Sequence, residues 1–373
     1  MMFLDIYPHL RFEIFSRLEK KDLLNVSLCS KECYTSIQPL LWHSISVTYR
    51  HLLNEPILPK QLPMCRELTL CDTSAAVHDV QGKIVELLKT CHGLHLLKLK
   101  LSIDNSEEIF TSAETLGLIS QMENLVGLHL VVVGEGFCDS IKCIISICPK
   151  TLKDLNILFK DCVETLSQSP FVNIKWLSVL STLKIVGVRI PSDVLEDICR
   201  LPLKTLALDS GRMDSMRPAF ISIKHLSLLQ NLEDLSLRGY NLGIEPMQYI
   251  ATLTRLVSLE LTNTTSVLDE DLERHIPSLT CLKKLDISRT KTSDFLFRTL
   301  GELEHLTHLN LSHNPVWGDK LFNLSKLPLT HLFLGSNKYT NSGIAAENLK
   351  QLHNFSHLQH LDFGPATSSK QVP

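Results

Sequence analysis

The stretch LTHLNLSHN at residues 306–314 places leucines at Leu306, Leu309 and Leu311 and ends on Asn314. LTHLFLGSN at 329–337 repeats this pattern 23 residues later. Intervals of three and two fit neither an amphipathic helix nor a plain strand. The fourth and sixth positions of such a motif would, however, alternate on a short strand and point to one face. The first position would enter the same core from the preceding turn.

The L-x-x-L-x-L pattern recurs along most of the chain. With conservative replacements, 12 copies begin 23 to 31 residues apart, at Cys65, Leu94, Leu125, Leu152, Leu180, Leu203, Leu232, Leu256, Leu282, Leu306, Leu329 and Leu358. This spacing lies in the period range of leucine-rich repeats. Because a single strand buries little apolar surface, the units are expected to stack into a parallel sheet with one shared core.

The segments between the strands are predicted to be helical. Residues 190–202, 267–279 and 292–303 each open on a Ser or Asp that we expect to cap a helix, followed by apolar residues three or four apart. Polar residues after the strands are expected to be buried and to satisfy turn backbone groups: Asn314, Asn337, Thr264 and Thr290. The predicted fold is an α/β horseshoe solenoid, with parallel strands on the concave face and helices on the convex face.

Residues 10–42 have a different pattern and predict three short helices. Leu10, Ile14, Phe15 and Leu18 form one helical stripe, Asp22 is placed to cap a second helix, and a third is expected to stop near Pro39. About 40 residues are too few for an independent core, so part of this apolar surface is expected to bind a partner.

Residues 6–42 resemble an F-box. The matching positions are Ile14, Phe15 and Leu18 for I-F-x-x-L, Asp22–Leu23–Leu24 for D-L-L, Ser27, Leu28, Ser30 and Lys31 for S-L-V-S/C-K, and Leu41–Trp42 for L-W. The chain departs from the family at Ile6–Tyr7 in place of Leu-Pro, at His9 in place of Glu and at Cys33 in place of Trp. Residues 190–202 also loosely match the I-x-D-x-x-L opening of the repeats found in F-box proteins.

The resemblance implies a Skp-type linker protein, and through it a cullin-RING ubiquitin ligase, as partner. The residues that it places at the linker are Leu10, Ile14, Phe15, Leu18, Leu23, Leu24, Leu28, Lys31, Leu41 and Trp42. The alternative is an ordinary helical cap on the solenoid. The predicted divisions are an F-box at 1–45, a linker and capping strand at 46–64, a solenoid of about twelve repeats at 65–363 and a disordered tail at 364–373.

Composition and missing motifs argue against several functions. The net charge of −3 leaves no basic footprint for nucleic acid, and no apolar run approaches the ~18–20 residues of a membrane span. Eleven cysteines without a C-x-x-C pair, and no export signal, favour a reducing compartment, so we expect a cytoplasmic or nuclear protein. No phosphate loop, nucleophile elbow or dinucleotide motif occurs, so we expect no enzyme activity, cofactor or metal.

Positions 3, 5 and 7 of each repeat are predicted to line the concave face and to bind a protein target. The expected contacts are Lys98, Lys100, Lys184, Asp286, His308, Asn310, His331, Phe333, His360 and Asp362. His308, His331 and His360 share position 3 in the last three repeats and would form a ladder, because neighbouring strands lie ~4.8 Å apart. An acidic or phosphorylated target would favour the charged forms of these imidazoles.

Three functions remain open from the sequence. The first is a substrate-receptor subunit that holds a target near a recruited conjugating enzyme. The second is a repeat scaffold for protein–protein interaction without a ligase role. The third is a small-molecule receptor of the plant-hormone kind, which would need a pocket with a basic cluster that the sparse lysines do not supply.

Overall fold

The computed structural model describes residues 15, 17–28, 31–41, 43–48, 65–71, 87–89, 98–103, 113–133, 138–160, 171, 173–211, 219–264, 266–316, 320–335 and 348–362. The chain divides into two compact units, Met1–Lys160 and Asp161–Pro373. Among the described residues, no helix is long and apolar enough to cross a membrane.

The first unit combines short helices with parallel strands. Its described helices are α1 (Lys20–Ser27), α2 (Lys31–Leu41), α3 (Ala113–Ser120) and α4 (Cys138–Ile147). Its strands pair in chain order as β1 (Ser44–Thr48), β2 (Glu67–Cys71), β3 (Lys98–Ile103), β4 (Gly127–Val133) and β5 (Asp154–Lys160). The predicted capping strand is therefore present as β1, and the linker after residue 48 lies outside the described residues.

The second unit repeats a strand and a short helical segment. Its parallel strands are β6 (Thr182–Val186), β7 (Thr205–Asp209), β9 (Asp234–Arg238), β11 (Ser258–Glu260), β12 (Lys284–Asp286), β13 (His308–Asn310), β14 (His331–Phe333) and β15 (His360–Asp362). β8 (Ala219–Phe220) and β10 (Tyr240–Asn241) form a separate pair.

The helical segments of the second unit follow the predicted places. The α-helices are α5 (Ser192–Ile198), α6 (Met247–Ile250), α7 (Asp269–His275) and α8 (Phe297–Leu300). The 3₁₀ segments are Ile174–Trp176, Lys224–Leu228, Ile276–Ser278, Asp294–Leu296, Leu321–Leu324 and Asn348–Asn354.

Register and burial confirm the repeat motif. Leu309 pairs with Leu332 and Leu332 with Leu361, so the fourth motif position stays in line from strand to strand. Leu306 and Leu311 are buried beside Leu309, as the first, fourth and sixth positions require. The α/β fold predicted from the leucine spacing is therefore correct. At the last strand, Leu361 is 37% exposed, and the tail at 364–373 lies outside the described residues.

The polar residue after the strand bridges neighbouring repeats. Buried Asn314 donates from Nδ2 to the Ile287 carbonyl at 2.7 Å and accepts the backbone N–H of Thr290 and Lys291 at 2.9 Å each. The hydroxyl of Thr264 donates instead to the carbonyl of Leu261, three residues before it. The expected turn satisfaction is confirmed at these positions, whereas Asn337 lies outside the described residues.

The second repeat starts at Leu96 and not at Leu94. Leu68 pairs with Leu99, and Leu99 pairs with Leu128, which makes Leu99 the fourth position of its motif. Lys98 is then at position 3 and Lys100 at position 5. Both lysines stay on the same side of the strand, because a shift of two residues preserves the alternation.

Two of the predicted helix caps are wrong, since α5 and α7 begin after Pro191 and Leu268 without a side-chain cap. In the third segment, Ser293 accepts the backbone N–H of Phe295 at 3.4 Å. The polar groups expected as caps bind neighbouring repeats. The Ser192 hydroxyl oxygen accepts the backbone N–H of Ser222 at 2.9 Å. In the same way, Asp269 accepts the backbone N–H of Ser293, and Asp271 Oδ2 accepts the Met247 N–H at 2.9 Å.

Two boundaries of the N-terminal helices also differ from the prediction. Asp22 lies inside the first turn of α1, whose N-cap is Glu19 without a side-chain hydrogen bond. Helix α2 runs past Pro39 to Leu41. Pro39 has no backbone N–H to donate to the carbonyl of Thr35, so the helix passes it with one hydrogen bond fewer.

Candidate functional site

The N-terminal helices have a core of their own. Phe15, Leu23, Ile37 and Leu41 are buried together, and Leu18 is one of the partly buried side chains packed against them. Phe15 precedes α1, Leu23 lies on it, and the other two buried residues lie on α2. Because these side chains face one another, they hold the two helices together.

This core includes part of the predicted linker surface. The side chains of Phe15, Leu23 and Leu41, all predicted to contact the linker, are buried and stabilise the helices. Leu28, the C-cap of α1, is 85% exposed, and Lys31 at the start of α2 is also exposed. The side chain of Leu24 and all of Leu10, Ile14 and Trp42 lie outside the described residues.

Sequence reasoning placed Tyr34 on a helix but not among the linker contacts, and it is 38% exposed on α2. Among the described residues of α1, its C-cap and α2, the exposed large hydrophobic residues are Leu28 and Tyr34. An uncovered leucine of this size costs free energy in water, and covering it would recover ~1.5–3 kcal/mol. Leu28 is therefore the described predicted contact best placed to meet a partner.

A network of carboxylates lies on the exposed face of the second-unit sheet. Glu260 Oε2 accepts the hydroxyl of Ser236 at 2.9 Å, and Glu260 Oε1 lies 3.1 Å from Arg238 Nε. Arg238 also pairs with Asp209 at 3.7 Å. Residues from β7, β9 and β11 are thus tied across their strands, which holds the Glu260 carboxylate in one orientation.

The predicted contact Asp286 belongs to the same network. Its Oδ2 accepts the amide of Asn310 at 2.7 Å, and its Oδ1 accepts the backbone N–H of Ser288 at 2.9 Å and the Thr262 hydroxyl at 3.2 Å. The structure thus brings Asp286 and Asn310 together, as position 5 in neighbouring strands requires. Ser236 occupies position 5, which the sequence places on this face, whereas Arg238 at position 7 was missed.

The predicted histidine ladder is present in the structure. The rings of His308 and His331 stack with centroids 4.1 Å apart and planes 10° apart. His360 stacks on His331 at 4.4 Å and 27°. Half-buried Phe333 lies 6.4 Å from the His331 ring, and Asp362 pairs with it on β15.

The environment of the ladder opposes protonation of its first member. Burial, followed by the charges of His331, Lys284 and His360, lowers the pKa of His308 from its ordinary value of 6.5. A neutral imidazole keeps one ring nitrogen as an acceptor. The neutral form of His308, which can accept a hydrogen bond, is therefore favoured over the charged form.

The predicted early lysines differ in their surroundings. Lys98 lies 2.9 Å from Glu67, and this hydrogen bond and charge raise the pKa of the lysine. Only the backbone of Lys100 is described. Lys184 is exposed and lines an open depression of about 580 Å³ together with Asp209, Arg238 and Glu260. Within the described ranges, no group of three His, Cys, Asp or Glu side chains is placed to hold a metal ion.

Comparison with known proteins identifies one domain. Residues 3–42 match the model of the F-box domain. No curated protein sequence matches the chain. An F-box domain implies an adaptor role in ubiquitin ligases, and a leucine-rich-repeat sheet implies protein binding.

Solved structures with a similar course of the chain have low sequence identity. An internalin (inlF) from Listeria monocytogenes is 17% identical, with 84% of this chain and 79% of that chain covered and a TM-score of 0.48. The repeat ectodomain of the receptor kinase GASSHO1/SCHENGEN3 from Arabidopsis thaliana is 14% identical, with 88% and 45% covered and a TM-score of 0.38. A TDR receptor is 17% identical, with 69% and 49% covered and a TM-score of 0.40.

The matched segment includes α1 and α2 and ends just before β1, where the parallel strands begin. In both units the strands run parallel in chain order, and leucines at fixed motif positions are buried. The chain therefore combines an F-box match at residues 3–42 with a parallel sheet built from leucine-rich repeats.

Proposed function

We propose that this protein is the substrate-recognition subunit of a cullin-RING ubiquitin ligase of the SCF type. In this role the F-box binds a Skp-type linker protein, which connects it to the cullin, and the exposed face of the repeat sheet binds the target. The observation that carries the proposal is the F-box match at residues 3–42.

Exposed Leu28 supports the linker half of the proposal. Large apolar anchors dominate the free energy of protein interfaces when they become fully covered. Leu28 is such an anchor, and Lys31, the first residue of α2, is also exposed. Phe15 and Leu23 contribute indirectly, because they hold the helix that presents Leu28.

The ordered face of the second-unit sheet supports the target half. The Asp286–Asn310 contact and the stacked histidines hold polar side chains in defined positions before any partner arrives. Binding then costs less side-chain entropy than it would on a surface of mobile side chains. In the proposed role the protein contributes proximity and no bond chemistry, so catalysis belongs to the recruited conjugating enzyme.

Affinity purification tests the assignment. We expect the full-length chain, expressed in cells, to recover a linker protein and a cullin. A pure repeat scaffold would recover neither. The proposed complex would be recovered from the cytoplasm, the nucleus or both, and fractionation before purification measures this.

A pair of leucine variants makes the test specific. Leu28→Ala should weaken linker binding about tenfold or more, as loss of a central anchor does. Leu228→Ala is the matched control, because Leu228 is another exposed leucine in a helical segment, in the second unit. Equal linker recovery with both variants would remove Leu28 from the interface.

A further inference from the structure

Hydrogen bonds assign the ring proton of His308. Thr307 Oγ1 lies 3.1 Å from the carbonyl oxygen of Lys283 and 2.9 Å from His308 Nδ1. A threonine hydroxyl has one proton, and a carbonyl oxygen can only accept. We infer that the hydroxyl donates to Lys283, which makes its contact with the imidazole a hydrogen bond from a proton on Nδ1.

The next repeat has the same arrangement. Thr330 Oγ1 lies 3.1 Å from the carbonyl oxygen of Thr307 and 2.9 Å from His331 Nδ1. The same inference places the ring proton of His331 on Nδ1, which leaves the lone pair of the neutral ring on Nε2. Among the described residues, no group hydrogen-bonds to Nε2 of His308 or His331.

Stacking places these two acceptors side by side. Each Nδ1 faces the threonine of its own strand, and the ring planes of His308 and His331 are only 10° apart. The two Nε2 atoms therefore also lie over one another. Because their lone pairs point along nearly parallel ring planes, they do not converge on one metal ion, but they can accept from the separate N–H groups of a cation. His360 follows Gln359 in the chain, where the other two histidines follow a threonine.

The groups around the ladder are mostly acceptors. Lys284 and Asp286 face it from β12, His331 from β14, and His360 and Asp362 from β15. Glu260 lies on β11, the strand next to β12, and already pairs with Arg238. Phe333 adds an apolar surface on which the alkyl stem of a long cationic side chain can lie.

We propose that this face, from Glu260 to His360, binds a lysine- or arginine-bearing segment of the target. The N–H groups of the cation donate to Nε2 of His308 and His331 and to the carboxylate of Asp286, and its stem lies on Phe333. This partner assignment rests on the proposed target-binding role. Protonation of His308 removes its acceptor and adds repulsion, so binding weakens as the pH falls, opposite to the sign for an acidic or phosphorylated partner.

A peptide array with the purified full-length chain tests the partner class. The probes are synthetic peptides of equal length that carry Lys and Arg, Asp and Glu, or phosphoserine. We expect the basic peptides to be retained, and the affinity of the best one, measured by fluorescence anisotropy, to fall about tenfold from pH 7.5 to pH 5.5. Retention of only acidic or phosphorylated peptides, retention of no peptide, or tighter binding at pH 5.5 would each overturn the proposal.

Matched variants separate the acceptor from the charge. His308→Gln/His331→Gln keeps an amide oxygen that can accept but cannot titrate, so binding at pH 7.5 should stay within about threefold and lose its pH dependence. His308→Leu/His331→Leu should weaken binding about tenfold at pH 7.5. His305→Gln, at an exposed histidine outside the ladder, should change neither. Wild-type affinity and pH dependence in both ladder variants would overturn the proposal.

Two further measurements keep the outcomes distinct. Nitrogen-15 NMR should show the Nδ1–H tautomer at both rings. Thr307→Val/Thr330→Val should remove this preference for Nδ1–H. An Nε2–H tautomer in the wild type would overturn the acceptor assignment. Leu28→Ala should leave peptide binding unchanged. A chain that binds basic peptides but recovers no linker contradicts the ligase role alone, whereas a chain that recovers the linker but prefers no basic peptide contradicts the present proposal alone.

Discussion

The N-terminal helices and the repeat sheet use apolar residues in different ways. In the sheet, motif position decides burial, so that Leu309 and Leu332 are both buried and face each other across neighbouring strands. In the helices, Phe15 is 2% exposed and Leu28 is 85% exposed, although both belong to the same family pattern. In a repeated motif, the neighbouring copies show which positions are buried. A motif that occurs once does not show which of its residues are buried in the core and which are exposed to a partner.

Removing the core of the helices should have the largest effect. Phe15→Ala should destabilise α1 and α2 by about 3–4 kcal/mol, because a buried phenyl ring is lost from a core of four fully buried residues. Hydrogen exchange should accelerate in Lys20–Ser27 and Lys31–Leu41 and stay unchanged in β11–β14. Unchanged exchange in both helices would contradict the core role.

Leu28→Ala is the control for that experiment. It should change stability by less than about 0.5 kcal/mol, since the side chain is exposed, and should still weaken linker binding. A double alanine substitution at Ile14 and Phe15 would reduce linker binding by unfolding the helices as well, so it cannot tell contact from core.

The repeat sheet should be most sensitive where two backbones meet. Gly211 has φ +77°, and a Cβ there would lie 2.6 Å from Gly187 Cα. Gly211→Ala should therefore cost about 2–3 kcal/mol, from the left-handed backbone and from the clash together. Gly243 has φ +87° but leaves an ordinary 3.5 Å to the Phe220 ring, so Gly243→Ala should cost only about 1 kcal/mol. Equal losses in denaturant unfolding would show that the close approach is unimportant.

The next effect concerns hydrogen bonds between repeats. Asn314→Ala removes the partner of the Thr290 and Lys291 N–H groups and of the Ile287 carbonyl, and should cost about 2 kcal/mol. Thr264→Ala removes a bond to a carbonyl of its own repeat and should cost about 1 kcal/mol. Urea unfolding of both variants measures the difference. A larger loss at Thr264 would mean that bonds within a repeat matter more than bonds between repeats.

The sequence predicts the sheet well and its long-range polar contacts poorly. In LHLLKLKL, at residues 94–101, both Leu94 and Leu96 start a valid motif, and only pairing with Leu68 and Leu128 decides for Leu96. Asp269 satisfies the local rule for a helix cap, yet it binds Ser293 of the next repeat. Rules based on neighbouring residues cannot predict a hydrogen-bond partner that is distant in sequence.

The candidate site was predicted unevenly for the same reason. Ladder membership follows from shared motif position, so the stacking of His308, His331 and His360 was predictable. The proton position on His308 depends on where the Thr307 hydroxyl donates, which only the packed strands decide. Arg238 was missed because its partners Asp209 and Glu260 come from two neighbouring strands.

The smallest expected effect is the contribution of His308 to pH-dependent stability. Burial, His331, Lys284 and His360 lower its pKa below 6.5, so the folded chain binds fewer protons there than the unfolded chain. Its contribution is fully present above about pH 6.5 and is lost as the pH falls through the folded pKa. Between pH 7.5 and pH 5.5, the melting temperature of the wild type should fall on the order of one degree more than that of His308→Gln. Asp271, whose pKa is raised by burial, contributes with the opposite sign in both proteins and cancels in this difference. Equal falls in the two proteins would show that the ladder protonates without cost to the fold.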